Sequence, residues 1–202
     1  MNDPLNTEEK ILEAAKRVFV RSGFEGTSMQ KIADEAGINK ALLHYYYRSK
    51  EKLFEQAFSK IFRQFVPRAQ EIFNSEIDFF DKIRLFVSTY IDLLVENPLV
   101  PGFILQEINR NPNILYHIIT QAGVNPSFFF IHAEKEIAAG NIVISSSKHL
   151  FINIMSLCIF PIAARPLMQK IVFQNDQRSY EIFLEDRKTE VSDFIINAIK
   201  RK

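Results

Sequence analysis

Apolar residues recur at intervals of three and four along nearly the whole chain, and no stretch alternates with the period of two expected of a half-buried strand. The first stripe is Ile11, Leu12, Ala15, Val18 and Phe19. Thr7-Glu8-Glu9 opens it, with acidic residues where a helix N-terminus favours them, and Gly23 closes it. A second stripe, Met29, Ile32, Ala33 and Ala36, follows Thr27, which reads with Gln30 as a capping box. Gly37 stops that helix where a left-handed residue is needed, and Asn39 caps a third helix through Ala41, Leu42, Leu43 and the tyrosines. Ser49 caps a fourth, with Glu51 in its first turn and Phe54, Phe58, Ile61, Phe65, Ile72 and Phe73 along one side. Pro67 lies inside this long pattern and predicts a kink or break near Arg63–Pro67.

Residues 78–96 carry Phe79, Ile83, Phe86, Val87, Tyr90 and Leu94 on one face, until Asn97-Pro98 breaks the pattern. Two shorter helices are predicted over 99–110 and 113–122, then one from Ser127 to Ala139 ending at Gly140. Residues 147–165 are apolar nearly all the way round, which marks a helix buried on more than one face. In a body of this size, a second buried face points to a partner subunit. The last helix, 178–200, places Phe183, Leu184, Val191, Phe194, Ile195 and Ala198 on one side. The predicted fold is all-α, with about nine or ten helices. A helix-turn-helix head occupies 1–52 and a larger helical body 53–202, two short helices joined at a glycine being the sequence form of that motif.

Composition adds a local feature. The chain has 202 residues, 47% apolar and 24% charged, as in an ordinary globular protein. Its 25 Lys and Arg nearly balance 24 Asp and Glu, so no overall charge draws it to nucleic acid. Over residues 37–52, however, Lys40, Arg48, Lys50 and Lys52 face only Glu51, a net +3. Cys158 is the single cysteine, so an intrachain disulfide is excluded, which fits a reducing cytosol. The first ten residues do not read as a signal peptide, and no apolar run is long enough to span a membrane.

The stretch from Thr27 to Phe54 resembles the DNA-binding region of the TetR family of bacterial transcriptional regulators. The resemblance is carried by Thr27, Ile32-Ala33, Ala36-Gly37-Ile38, Lys40, the aromatic run ending at Tyr47, Ser49-Lys50-Glu51 and Leu53. It implies a homodimer on a palindromic operator, a cytoplasmic location, and repression lifted by a small, largely apolar effector. With Leu43 and Tyr47 inward, the reading face centres on Ala41 and Tyr45, flanked by Leu42 and His44. Lys40 and Lys50 stand at its ends for phosphate contact, with Thr27 and Asn39 as further candidates. Ala41 departs from the family's usual glycine, Leu42 from a polar residue and His44 from tyrosine. Two apolar side chains on that face predict a thymine-rich operator, because the thymine methyl is the apolar group of the major groove.

Seventeen of nineteen phenylalanines lie at or beyond residue 54. Aromatic helices interrupted by prolines leave apolar cavities, the usual form of a small-molecule site. The resemblance implies such a pocket in the body, and its candidates are Tyr90, Phe103, Gln106, His117, Phe129, Phe130, His132 and Met155. It also implies that the last two long helices pair across a twofold axis, with Phe151, Met155, Ile159, Phe183, Val191, Phe194, Ile195 and Ala198 as the interface. An enzyme is disfavoured. His44, His117, His132 and His149 show no metal-ligand spacing, no phosphate loop occurs, and Cys158 sits in an apolar helix that suppresses thiolate. No cofactor or metal is expected.

Overall fold

The structure, a computed structural model, describes residues 4–110, 112–121 and 123–201. No strand occurs among the described residues; the extended backbone makes one isolated antiparallel bridge, Ile142 to Lys200. The chain forms two compact units. The first runs to Gln64 and takes in Phe103–Val124, and the second comprises Phe65–Gly102 and Asn125–Lys202. The first unit thus takes more chain than the 1–52 expected for the head.

In the first unit, α1 (Pro4–Gly26) begins a turn before Thr7, with a proline in its first turn where a missing N–H costs nothing. Gly23, at φ 69° and ψ 171°, breaks it before a last short turn. Next come α2 (Met29–Ala36), α3 (Lys40–Tyr46) and the first part of α4 (Lys50–Asn74). Helix α4 carries through Pro67 without the expected break. Pro67 is exposed, so water can meet the carbonyl that its missing N–H leaves free. The core of this unit is aromatic. Phe54 makes edge contacts with Phe19 at 4.8 Å and Phe24 at 4.9 Å, and Phe58 stacks on Phe103 at 4.8 Å. Phe103 belongs to α6 (Val100–Arg110), which precedes α7 (Pro112–Gln121).

In the second unit, α5 (Phe79–Glu96) starts at the Asp78 cap and buries all six of the apolar positions predicted for it. It packs with α8 (Ser127–Ala138), α9 (Ser147–Ala163) and α11 (Gln177–Ile199). Phe73, Phe86 and Phe129 meet in a mutual aromatic cluster, and Lys82 donates to the Phe73 carbonyl at 2.8 Å, closing the end of α4. Between α9 and α11 the chain makes a short α10 (Arg165–Leu167) and a π-turn over Met168–Val172, with Gln174 and Asn175 at φ 50° and 67°. Apolar periodicity carries no signal for that π-turn.

Candidate nucleic-acid interface

Local polar bonds fix the angle between α2 and α3. Ser28 is the N-cap of α2, its hydroxyl accepting from the Lys31 N–H, so the cap lies one residue past the expected Thr27–Gln30 box. Thr27 is 3% exposed and donates to the Gly23 carbonyl at 2.7 Å, while Gln30 bonds Asp34. Thr27 therefore braces the turn from inside rather than facing outward. Gly37 ends α2 at φ 68°, and Asn39 Oδ1 accepts from the Leu42 N–H at 2.8 Å to start α3. Leu43 and Tyr47 bury the inner side. Tyr47 also donates to Glu8 Oε1 at 2.9 Å, and burial together with that carboxylate pushes its phenol well above the usual range. On α1, Arg17 and Arg21 grip Glu35 of α2 at 2.9 and 3.2 Å and hold its carboxyl below the usual range.

With that side anchored, the opposite face of α3 is open. Lys40, Ala41, His44 and Tyr45 are exposed, Tyr45 at 81%, and Leu42 is half-buried. The Tyr45 ring is supported edge-on by Tyr46 at 5.6 Å. Arg48 and Lys52 are also exposed. Lys50 differs from the free phosphate-seeking cation expected. Its Nζ donates to the Phe24 and Thr27 carbonyls at 3.0 and 3.1 Å and lies 4.3 Å from the centre of the Phe24 ring. Two of its three donors are spent on the turn between α1 and α2.

The family of bacterial regulatory proteins, tetR family, matches residues 11–57, from the first stripe of α1 to the start of α4. Over that stretch the head is similar to the TetR family. An uncharacterized HTH-type transcriptional regulator of Haemophilus influenzae is 29% identical over 92 residues, which are 46% of this chain. That match takes in 49% of the relative, so the chain spans about half the length of the curated protein it resembles. The fold extends the likeness over the whole chain. HlyIIR, a hemolysin II transcriptional regulator, superposes with a TM-score of 0.72 at 24% identity, covering 99% of this chain and all of that one. FadR from Bacillus subtilis, solved with stearoyl-CoA, gives 0.69 at 17% identity, covering 94% and 98%.

Beyond that stretch, the residues expected to form one pocket divide between the units. Phe103 is core in the first unit, where Gln106 and His117 are exposed. Tyr90, Phe129, Phe130, His132 and Met155 lie in the second, with Tyr90 and Phe129 buried and the other three half-buried. His132 Nδ1 is spent on the Phe128 carbonyl at 2.7 Å.

The expected interface set also divides. Val191 and Ile195 are buried in their own unit's core, Phe151 packs on Phe129 and Phe130, and Met155, Ile159 and Phe183 pack against that core. Phe194 and Ala198 are exposed. They line a groove of 370 Å³ with Asn153, Ser156 and Leu157 of α9. Ile152 and Phe160 are also exposed, at 59% and 61%, positions that a helix apolar nearly all the way round gives no phase to predict. Burial pushes the Cys158 thiol up to about 12, which keeps it protonated. No single helix among the described residues is long and apolar enough to cross a membrane.

Proposed function

We propose that this chain is a ligand-responsive DNA-binding transcriptional regulator acting as a homodimer. The observation that carries this is the outer face of α3, where Lys40, Ala41, His44 and Tyr45 are exposed and buried Leu43 and Tyr47 anchor the other side. A short helix presented in that way can lie in a major groove, with Tyr45 and the methyls of Ala41 and Leu42 toward base edges. Thymine under that face is the expected preference. Lys40 at the α3 start meets phosphate, and Asn39 stays committed to its cap.

Repression relieved by an effector is the role we assign to the second unit. Its aromatic core, with Tyr90, Phe129, Phe130, His132 and Met155, supports an apolar ligand, and the shared fold of FadR, captured with stearoyl-CoA, favours the same class. An effector that binds one arrangement of the dimer better weakens operator binding by no more than its differential affinity. The dimer face is the α9–α11 surface of Ile152, Phe160, Phe194 and Ala198, whose exposed apolar side chains suit a second copy of the chain.

Lys40→Ala tests the interface. It should weaken preferred and random duplexes alike and lower the slope of log affinity against log salt by about one. An unchanged slope with an altered base preference would overturn the phosphate role of Lys40.

A further inference from the structure

The turn between α1 and α2 is held from both ends by opposite charges that come from elsewhere in the chain. After Gly23 breaks α1, residues 24–26 make a single helical turn. Such a turn leaves N–H groups unpaired at its start and carbonyls unpaired at its end. Glu107 of α6, 83 residues away and 2% exposed, accepts the Phe24 N–H on Oε1 at 3.3 Å. Lys50 of α4 donates to the Phe24 carbonyl and to the Thr27 carbonyl just past the turn. Thr27 N–H closes on the Phe24 carbonyl at 3.2 Å, and Ser28 follows as the cap of α2. The start of α2, and with it the seat of α3, is thereby tied to a carboxylate on α6.

We propose that Glu107 is a positioning residue for DNA reading: its buried carboxylate and the Lys50 ammonium bracket the Phe24–Thr27 turn and set where α2 and α3 stand. The proposal rests on the DNA-reading role of α3 given above. Glu107 touches no base or phosphate and works only through the backbone it holds. Gly23 is part of the same device, since any β-carbon there would lie 3.2 Å from Glu107 Oε1.

The test compares full-length wild type, Glu107→Ala and Glu107→Gln in two measurements, amide hydrogen exchange over residues 24–31 and binding to duplex DNA at fixed salt. Glutamine keeps the volume and an acceptor oxygen but not the charge. In Glu107→Ala, exchange over 24–31 should rise at least about tenfold, as for loss of a hydrogen bond to a charged group. Exchange in α5 and α9 should stay unchanged, and duplex affinity should fall by a similar factor. Glu107→Gln should recover most of both. Unchanged exchange over 24–31 in Glu107→Ala, or a glutamine variant no better than alanine, overturns the proposal. So does raised exchange with full duplex affinity. If alanine unfolds the chain, the glutamine variant against wild type decides, with recovered exchange and affinity supporting the bracket and their loss opposing it. A wild type that binds no duplex defeats the DNA-reading role itself, and with it the positioning role, while the exchange data still report whether the bracket exists.

Discussion

Phe54→Ala is expected to lower the stability of the first unit by about 3–5 kcal/mol, the range for emptying a large aromatic from a closed core. Phe54 is fully buried and is the ring on which the others converge. Phe19, Phe24 and Phe58 lie 4.8–4.9 Å from it and Phe103 lies 5.7 Å away. These neighbours come from α1, α4 and α6, so the cavity cannot close by moving one flexible side chain. Aromatic pairs also contribute beyond their area, which places this substitution toward the upper end of the range. Urea unfolding, read as a change in midpoint at constant slope, measures it. A loss under 1 kcal/mol would mean that the rings do not pack as described. Because Phe24 opens the turn that Lys50 and Glu107 hold, DNA affinity should fall with stability.

The second large effect is Gly23→Ala, expected to cost about 2–3 kcal/mol through backbone strain. The pair φ 69° and ψ 171° belongs to a region that only glycine occupies freely. A β-carbon would also fall 2.8 Å from Arg110 Nη1 and 3.2 Å from Glu107 Oε1. Gly37 provides the internal comparison. Its φ of 68° with ψ 32° is the ordinary left-handed cap, and nothing lies within 4 Å of a β-carbon there. Gly37→Ala should therefore cost only about 1–2 kcal/mol. Thermal unfolding of the two variants side by side checks the ordering, and a reversed order would contradict the geometry at Gly23.

Much of the helical framework was legible because its signals are local. Ser49 and Asn39 each bond a backbone N–H three residues on, and Gly37 needs its left-handed turn whatever surrounds it. The inward positions of α5 followed from spacing alone, since one face is apolar and the other is not. The outer face of α3 followed from placing Leu43 and Tyr47 inside. The bonds of Lys50 are hidden from the sequence for the opposite reason. Its carbonyl partners lie 23 and 26 residues earlier, and only tertiary packing brings them within 3.1 Å. Glu107 carried no signal for the same cause. The cap falls one residue later, at Ser28, whose hydroxyl accepts the Lys31 N–H, while Thr27 is buried and donates to the Gly23 carbonyl.

In the body, phase was the obstacle. A largely apolar α9 offers Phe151, Met155 and Ile159 as readily as Ile152 and Phe160, and only tertiary packing, such as that of Phe151 on Phe129 and Phe130, separates them. The pocket candidates suffered similarly: Phe103 is as apolar as Phe129, but it fills the core of the other unit.

The central claim, that α3 reads DNA as part of a paired assembly, is tested most directly by selecting bound sequences from a random duplex pool with the full-length protein. The expected result is a palindrome with half-sites about one helical turn or more apart and thymine under Ala41 and Leu42. Recovery of no consensus, at salt low enough to retain binding, would contradict it.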